Sequence, residues 1–221
     1  MNLYLLILIS FIFLCNYFFK KKKLISNYSG NNHQLFSNQK HIPLSGSLYL
    51  LVGLFFLLYR ENLELSLIFF LIFLLGFLSD IKILSSPRKR FLLQILLIFF
   101  SVNILNLQIT STRIIYLDHL LQNTWFNYLF VTFCILILLN GTNFIDGLNG
   151  LVLGYYLIIL IILQKMQLTS EILDSNDIFI NLILLFIILF LFNLFNQFFL
   201  GDGGAYICLL YTSPSPRDGL L

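Results

Sequence analysis

The sequence predicts an all-α fold, a polytopic transmembrane helix bundle, on three observations. Of 221 residues, 59% are hydrophobic and 10% are charged, where a soluble domain carries roughly 25% charged residues. The apolar residues fall in seven runs, at about 3–19, 42–59, 63–79, 91–107, 125–140, 147–163 and 178–200. The charged residues gather in or beside the connections between those runs. A soluble enzyme, a disordered chain and a disulfide scaffold are excluded: the polar surface is missing, and three scattered cysteines make neither a disulfide framework nor a metal site. A net charge of +3 is too small to point to nucleic acid, so the expected surrounding is a lipid bilayer.

Each run is near the roughly 17–25 residues that cross the hydrocarbon core as a helix. A membrane barrel strand needs only about 9–11 residues and alternates, whereas these runs are continuous. The first run has no base before it and Lys20, Lys21, Lys22 and Lys23 after it. That is the reverse of a cleaved signal peptide, so it reads as an uncleaved anchor with its N-terminus outside. The second and third runs are separated by Arg60 and Glu61, and the third closes at Asp80. Ser86-Pro87 can open the fourth, since proline suits the first helical turn. The fifth and sixth meet in an Asn- and Gly-rich stretch, which makes the sixth the weakest of the seven. The seventh ends just before Gly201-Asp202-Gly203-Gly204.

Alternation from an outside N-terminus places 20–41, 80–90, 140–147 and 197–207 in the cytoplasm. The bases agree with the positive-inside rule. Lys20 to Lys23, Lys40, Lys82, Arg88, Lys89 and Arg90 fall inside, against Arg60, Arg113 and Lys165 outside. The inner acids are Asp80, Asp146 and Asp202, each at the end of a different run. Carboxylates at a bilayer are costly, and three on one face form a functional-site hypothesis.

Each carboxylate sits in its own motif. In the first, Gly76 to Lys82 followed by Ser85-Ser86-Pro87-Arg88-Lys89-Arg90, the bases suit lipid phosphate or simple topology. Asp80 is either functional or a helix-end carboxylate paired with Lys82 or Arg88. In the second, Asn140, Asn143, Asp146 and Asn149 recur every three residues, which on a tight helix or turn aligns them on one face. Their oxygens are hard donors suited to Mg²⁺; a glycine-rich kink is the structural alternative. In the third, Asp202 within Gly-Asp-Gly-Gly reads as a flexible loop able to wrap a metal–diphosphate, with Phe198 or Phe199 able to stack on a base, or as a plain glycine hinge.

Three blocks, FLSDIKILSSPRKRFLLQ (77–94), NGTNFIDGLNGLVLG (140–154) and FLGDGGAY (199–206), together resemble the polyprenyl-phosphate N-acetylhexosamine-1-phosphate transferases, glycosyl transferase family 4. A fainter likeness to the family's first cytoplasmic loop lies at Lys40 to Gly46, and the resemblance covers most of residues 20–207. It implies a bundle of about ten helices, seven of them represented here, with the site on the cytoplasmic face of a bacterial inner (plasma) membrane. The implied reaction moves a sugar-1-phosphate from a UDP-N-acetylhexosamine to polyprenyl (undecaprenyl) phosphate and releases UMP. The cofactor would be Mg²⁺ or Mn²⁺, and a homodimer is expected. By position, Asp80, Asp146 and Asp202 would be catalytic, and Asp202 with Asn143 would bind the metal. Asp80 would be tied to the acceptor, with Lys82 and Arg90 on its phosphate. Asp146 and Asn149 would face the nucleotide-sugar, with Asn140 also in the substrate site, and Phe199 would stack on uracil.

Two positions depart from the pattern. Ser79 stands where the family usually has the first carboxylate of an Asp-Asp pair, and Asn149 replaces a frequent Asp. Residues 208–221 resemble one reading frame of a sequencing adaptor and carry two of the four prolines. The expected native domain is therefore 1–207, a fragment inactive on its own that lacks the family's His-containing loop. Two rival readings remain. One is a transporter subunit with the acids along an ion path, which acids on a single face argue against. The other is an inactive homologue, motivated by Ser79.

Overall fold

The computed structural model describes residues 3–22, 24–25, 42–58, 63–146, 149–165 and 176–212. Several expectations fall outside these residues: Lys23, Lys40, the Arg60-Glu61 connection, Gly147-Leu148, and the tail beyond 212. Among the described residues the fold is all-helical, with nine helices. They are α1 (Leu3–Lys22), α2 (Gly46–Leu58), α3 (Leu63–Asp80), α4 (Pro87–Ile104), α5 (Ile115–Leu121), α6 (Thr124–Ile145), α7 (Leu151–Lys165), α8 (Asn176–Leu194) and α9 (Gly201–Thr212).

Each of the seven apolar runs contains one helix, for the reason that an apolar segment in lipid must satisfy its own backbone hydrogen bonds. Two of the described helices, Leu63–Asp80 and Thr124–Ile145, are long and apolar enough to cross a membrane; three further apolar helices, at Gly46–Leu57, Leu151–Lys165 and Phe179–Leu194, are shorter. By length and composition these helices suit a lipid surrounding.

Helix ends follow local chemistry. Pro87 sits in the first turn of α4 behind Ser86 in extended conformation. Asn123 caps α6 by accepting from the N–H groups of Trp125 and Phe126. The short α5 was not foreseen. It is held by Asp118, whose carboxylate accepts from the Thr112 N–H and hydroxyl at 2.6 Å each and from Ser111. Those bonds hold the Asp118 carboxyl below the usual carboxylate range.

The second difference concerns Gly201 to Gly204, expected as a flexible loop. They form the first turn of α9, which lies at the centre of the bundle against α2, α3, α6 and α7. Gly76 of α3 explains the packing. A Cβ there would sit 2.3 Å from the Cα of Gly203, so the two backbones touch and no side chain fits between them. Beyond that contact Tyr206, Ile207 and Cys208 are fully buried. The core thus runs along α9, and its N-terminus opens at the end of the bundle where α3 and α6 finish and α4 begins.

Candidate active site

The N-terminus of a helix offers unpaired N–H groups, and here the partners are carboxylates from other helices. Asp80, the last residue of α3, accepts from the Asp202 N–H at 2.9 Å and the Gly203 N–H at 3.3 Å. Asp146, just past the end of α6, lies beside the start of α9, where the Gly201 N–H favours its charged form. Gly201 has φ +74°, and a Cβ on it would lie 2.7 Å from the Asp80 carboxylate. Only glycine lets the chain turn there against that oxygen. The partner of Asp80 is therefore the α9 backbone, where a helix-end reading had expected Lys82 or Arg88.

Asp202 faces the other way. Its Oδ2 accepts from the Arg90 guanidinium at 2.8 Å and from the Ser79 hydroxyl at 2.8 Å. Arg90 also donates to Ser79 Oγ at 2.8 Å, which closes a ring of three side chains from α3, α4 and α9. The Arg90 and Asp202 side chains are 27% and 24% exposed, so the pair is partly screened by water. The three acids share one small region. Burial pushes the Asp146 carboxyl up to about 8, and the nearby Asp202 and Asp80 carboxylates push the same way.

The remaining candidates divide. Asn140 lies within α6 and donates to the Leu136 carbonyl at 2.8 Å and to Gln94 at 3.5 Å, toward α4. Asn143 lies half-buried one turn on. Asn149 donates to Asn196 at the start of the α8–α9 connection. Asn140 and Asn143 lie within α6, whereas Asp146 and Asn149 lie past its end, so the four are not carried on one helix. Phe198 is fully buried, edge-on to Tyr49 and stacked on Phe192, and is removed from any ligand. Phe199 is only partly buried, and its backbone bonds Pro43 and Gly46. Lys82 is exposed in the turn after α3 with φ +63°.

Two residues carry more than their sequence context showed. Ser79, read as a departure, is the hub of the Arg90–Asp202 ring. Asn193, inside an apolar run, is 4% exposed; it accepts from the Gly150 N–H and donates to the Phe198 carbonyl at 2.9 Å. It ties the second motif to the third. An amide near the end of a long apolar stretch was the available signal.

The donor set is chemically suited to a hard divalent cation, being carboxylate and amide oxygen. Among the described residues no group of three or more His, Cys, Asp or Glu is arranged as a ready metal site. Both Asp80 oxygens serve the α9 backbone, and Asp202 Oδ2 serves Arg90 and Ser79. Asp202 Oδ1 is the oxygen left for an ion.

Similarity to known proteins agrees with the geometry. A phospho-N-acetylmuramoyl-pentapeptide-transferase of Dictyoglomus thermophilum is 28% identical over 180 residues, covering 74% of this chain and 55% of the relative. The chain thus spans about half the length of that curated relative. No solved structure matches it. The family model of glycosyl transferase family 4 matches residues 62–212, which hold all three carboxylates, Ser79 and Arg90. On that match the chain belongs to glycosyl transferase family 4.

Proposed function

We propose that this chain forms the catalytic face of a membrane enzyme that transfers an N-acetylhexosamine-1-phosphate, or a related sugar-1-phosphate, from a UDP-sugar to polyprenyl phosphate. UMP leaves, and the lipid-linked sugar starts cell-envelope polysaccharide assembly. The observation that carries the reading is the meeting of Asp80, Asp146 and Asp202, from three separate motifs, around the N-terminus of α9. The bundle is polytopic, and this end faces the cytoplasm of a bacterial plasma membrane. The support is that four segments assigned inside by alternation meet here: Lys20 donates to Gln197 at 2.6 Å, beside the Asp80, Arg90, Asp146 and Asp202 contacts.

Phosphoryl transfer depends on positioning and charge neutralisation rather than covalent chemistry by the protein. Asp202, with Asn143, would hold Mg²⁺, which supplies charge neutralisation on the diphosphate. Asp80 orients the α9 turn that presents Asp202. The acceptor phosphate is already an anion, so no strong base is required of Asp80. Lys82 and Arg90 supply cations for the acceptor, and the partly exposed Phe199 offers a ring for uracil.

The test uses membranes expressing the complete reading frame that contains these residues. Incubation with radiolabelled UDP-N-acetylhexosamine, undecaprenyl phosphate and Mg²⁺ should yield a lipid-extractable sugar phosphate and UMP. Asp202→Ala should abolish it. If no N-acetylhexosamine donor gives a lipid-linked product, the assignment is wrong.

A further inference from the structure

The Arg90–Ser79–Asp202 ring is not explained by the need to build α4. Arg90 lies in the first turn of that helix, where the macrodipole disfavours a cation. What compensates is the facing carboxylate. Arginine stays charged at any physiological pH, and a single guanidinium nitrogen, Nη1, donates to both Asp202 Oδ2 and Ser79 Oγ. Ser79 brings no charge of its own, and among the described residues the carboxylate hydrogen-bonded to the guanidinium is that of Asp202. A carboxylate at position 79 would instead draw Arg90 toward itself.

We infer that Arg90 is a resident counter-ion for Asp202, competing with a divalent cation for that carboxylate, and that Ser79 is the positioning residue that holds it there. The inference rests on the proposed metal role of Asp202. A cation approaching the open Oδ1 of Asp202 meets a fixed positive charge 2.8 Å from Oδ2 of the same carboxylate, and must push it aside to take both oxygens. By holding Arg90 against Asp202, Ser79 thus sets how tightly the metal binds.

Mn²⁺, whose unbound form is counted by electron paramagnetic resonance, is the probe for the detergent-purified protein. Arg90→Gln should bind Mn²⁺ about ten-fold tighter than the unaltered protein. Ser79→Ala keeps the charge but removes its anchor, and should bind about three-fold tighter. Equal or weaker binding in both variants overturns the inference, including when transferase activity is present. Tighter binding in Ser79→Ala supports it even if Arg90→Gln fails to fold. An unaltered protein that makes lipid-linked product and binds no Mn²⁺ overturns both the inference and the metal assignment. Tighter Mn²⁺ binding in the variants of a protein that makes no product sustains the inference while the transferase reading falls.

Discussion

Asp80 shows what one residue can do in this fold. A carboxylate that accepts two N–H groups at a helix start acts as a cap supplied from another chain segment, and helix caps contribute about 1 kcal/mol. Asp80→Ala should lower stability by about 1–2 kcal/mol in a thermal melt and also remove activity; an unchanged melting temperature would show that α9 does not depend on it. Asp146 works through protonation. Its carboxyl is pushed up to about 8 in the folded protein, from 3.8 when exposed, so the native state holds a proton that the unfolded chain has released. Stability is therefore greatest below the lower value and declines as pH rises toward the upper one. Asp146→Asn removes that dependence and should raise stability at pH 9 by more than about 1 kcal/mol, since one pKa unit is worth about 1.4 kcal/mol. Melts of both proteins at pH 6 and pH 9 decide it.

At the scale of elements, the contact between α3 and α9 controls the site. Gly76→Ala would drive a methyl group into the backbone of Gly203, and overpacking of this kind costs about 1–3 kcal/mol. The same shift separates Asp80 from the α9 turn, so activity should fall further than stability. Gly141 is the control within α6, because a Cβ there meets nothing within 4 Å. Gly141→Ala should stabilise by about 0.5–1 kcal/mol through helix propensity. Side by side, the two melts separate helix propensity from backbone contact. The neighbouring phenylalanines give a similar contrast. Phe198→Ala empties a fully buried position and should cost about 3–5 kcal/mol, whereas Phe199→Ala should leave the fold intact and raise KM for the nucleotide-sugar.

For the whole molecule, the one-ended gathering of the motifs predicts sidedness. In intact cells an impermeant thiol reagent added outside should modify Arg113→Cys, in the connection before α5, and spare Lys89→Cys at the start of α4. The reverse pattern would invert the bundle. Much of this architecture was legible along the chain, because continuous apolar runs and lone charges between them follow from the cost of burying polar groups in lipid. That cost acts on each segment separately, so it needs no knowledge of neighbours. The seven apolar helices, the likeness to a family, and the grouping of Asp80, Asp146 and Asp202 could therefore be read along the chain. Packing in three dimensions makes Gly-Asp-Gly-Gly a helix start rather than a loop, binds Asp80 to backbone, puts Phe198 in the core, and lets Ser79 link Arg90 to Asp202. Each depends on atoms more than a hundred residues apart in the chain, or on the close approach of two helices. Such partners are set by packing and leave no periodic trace in sequence.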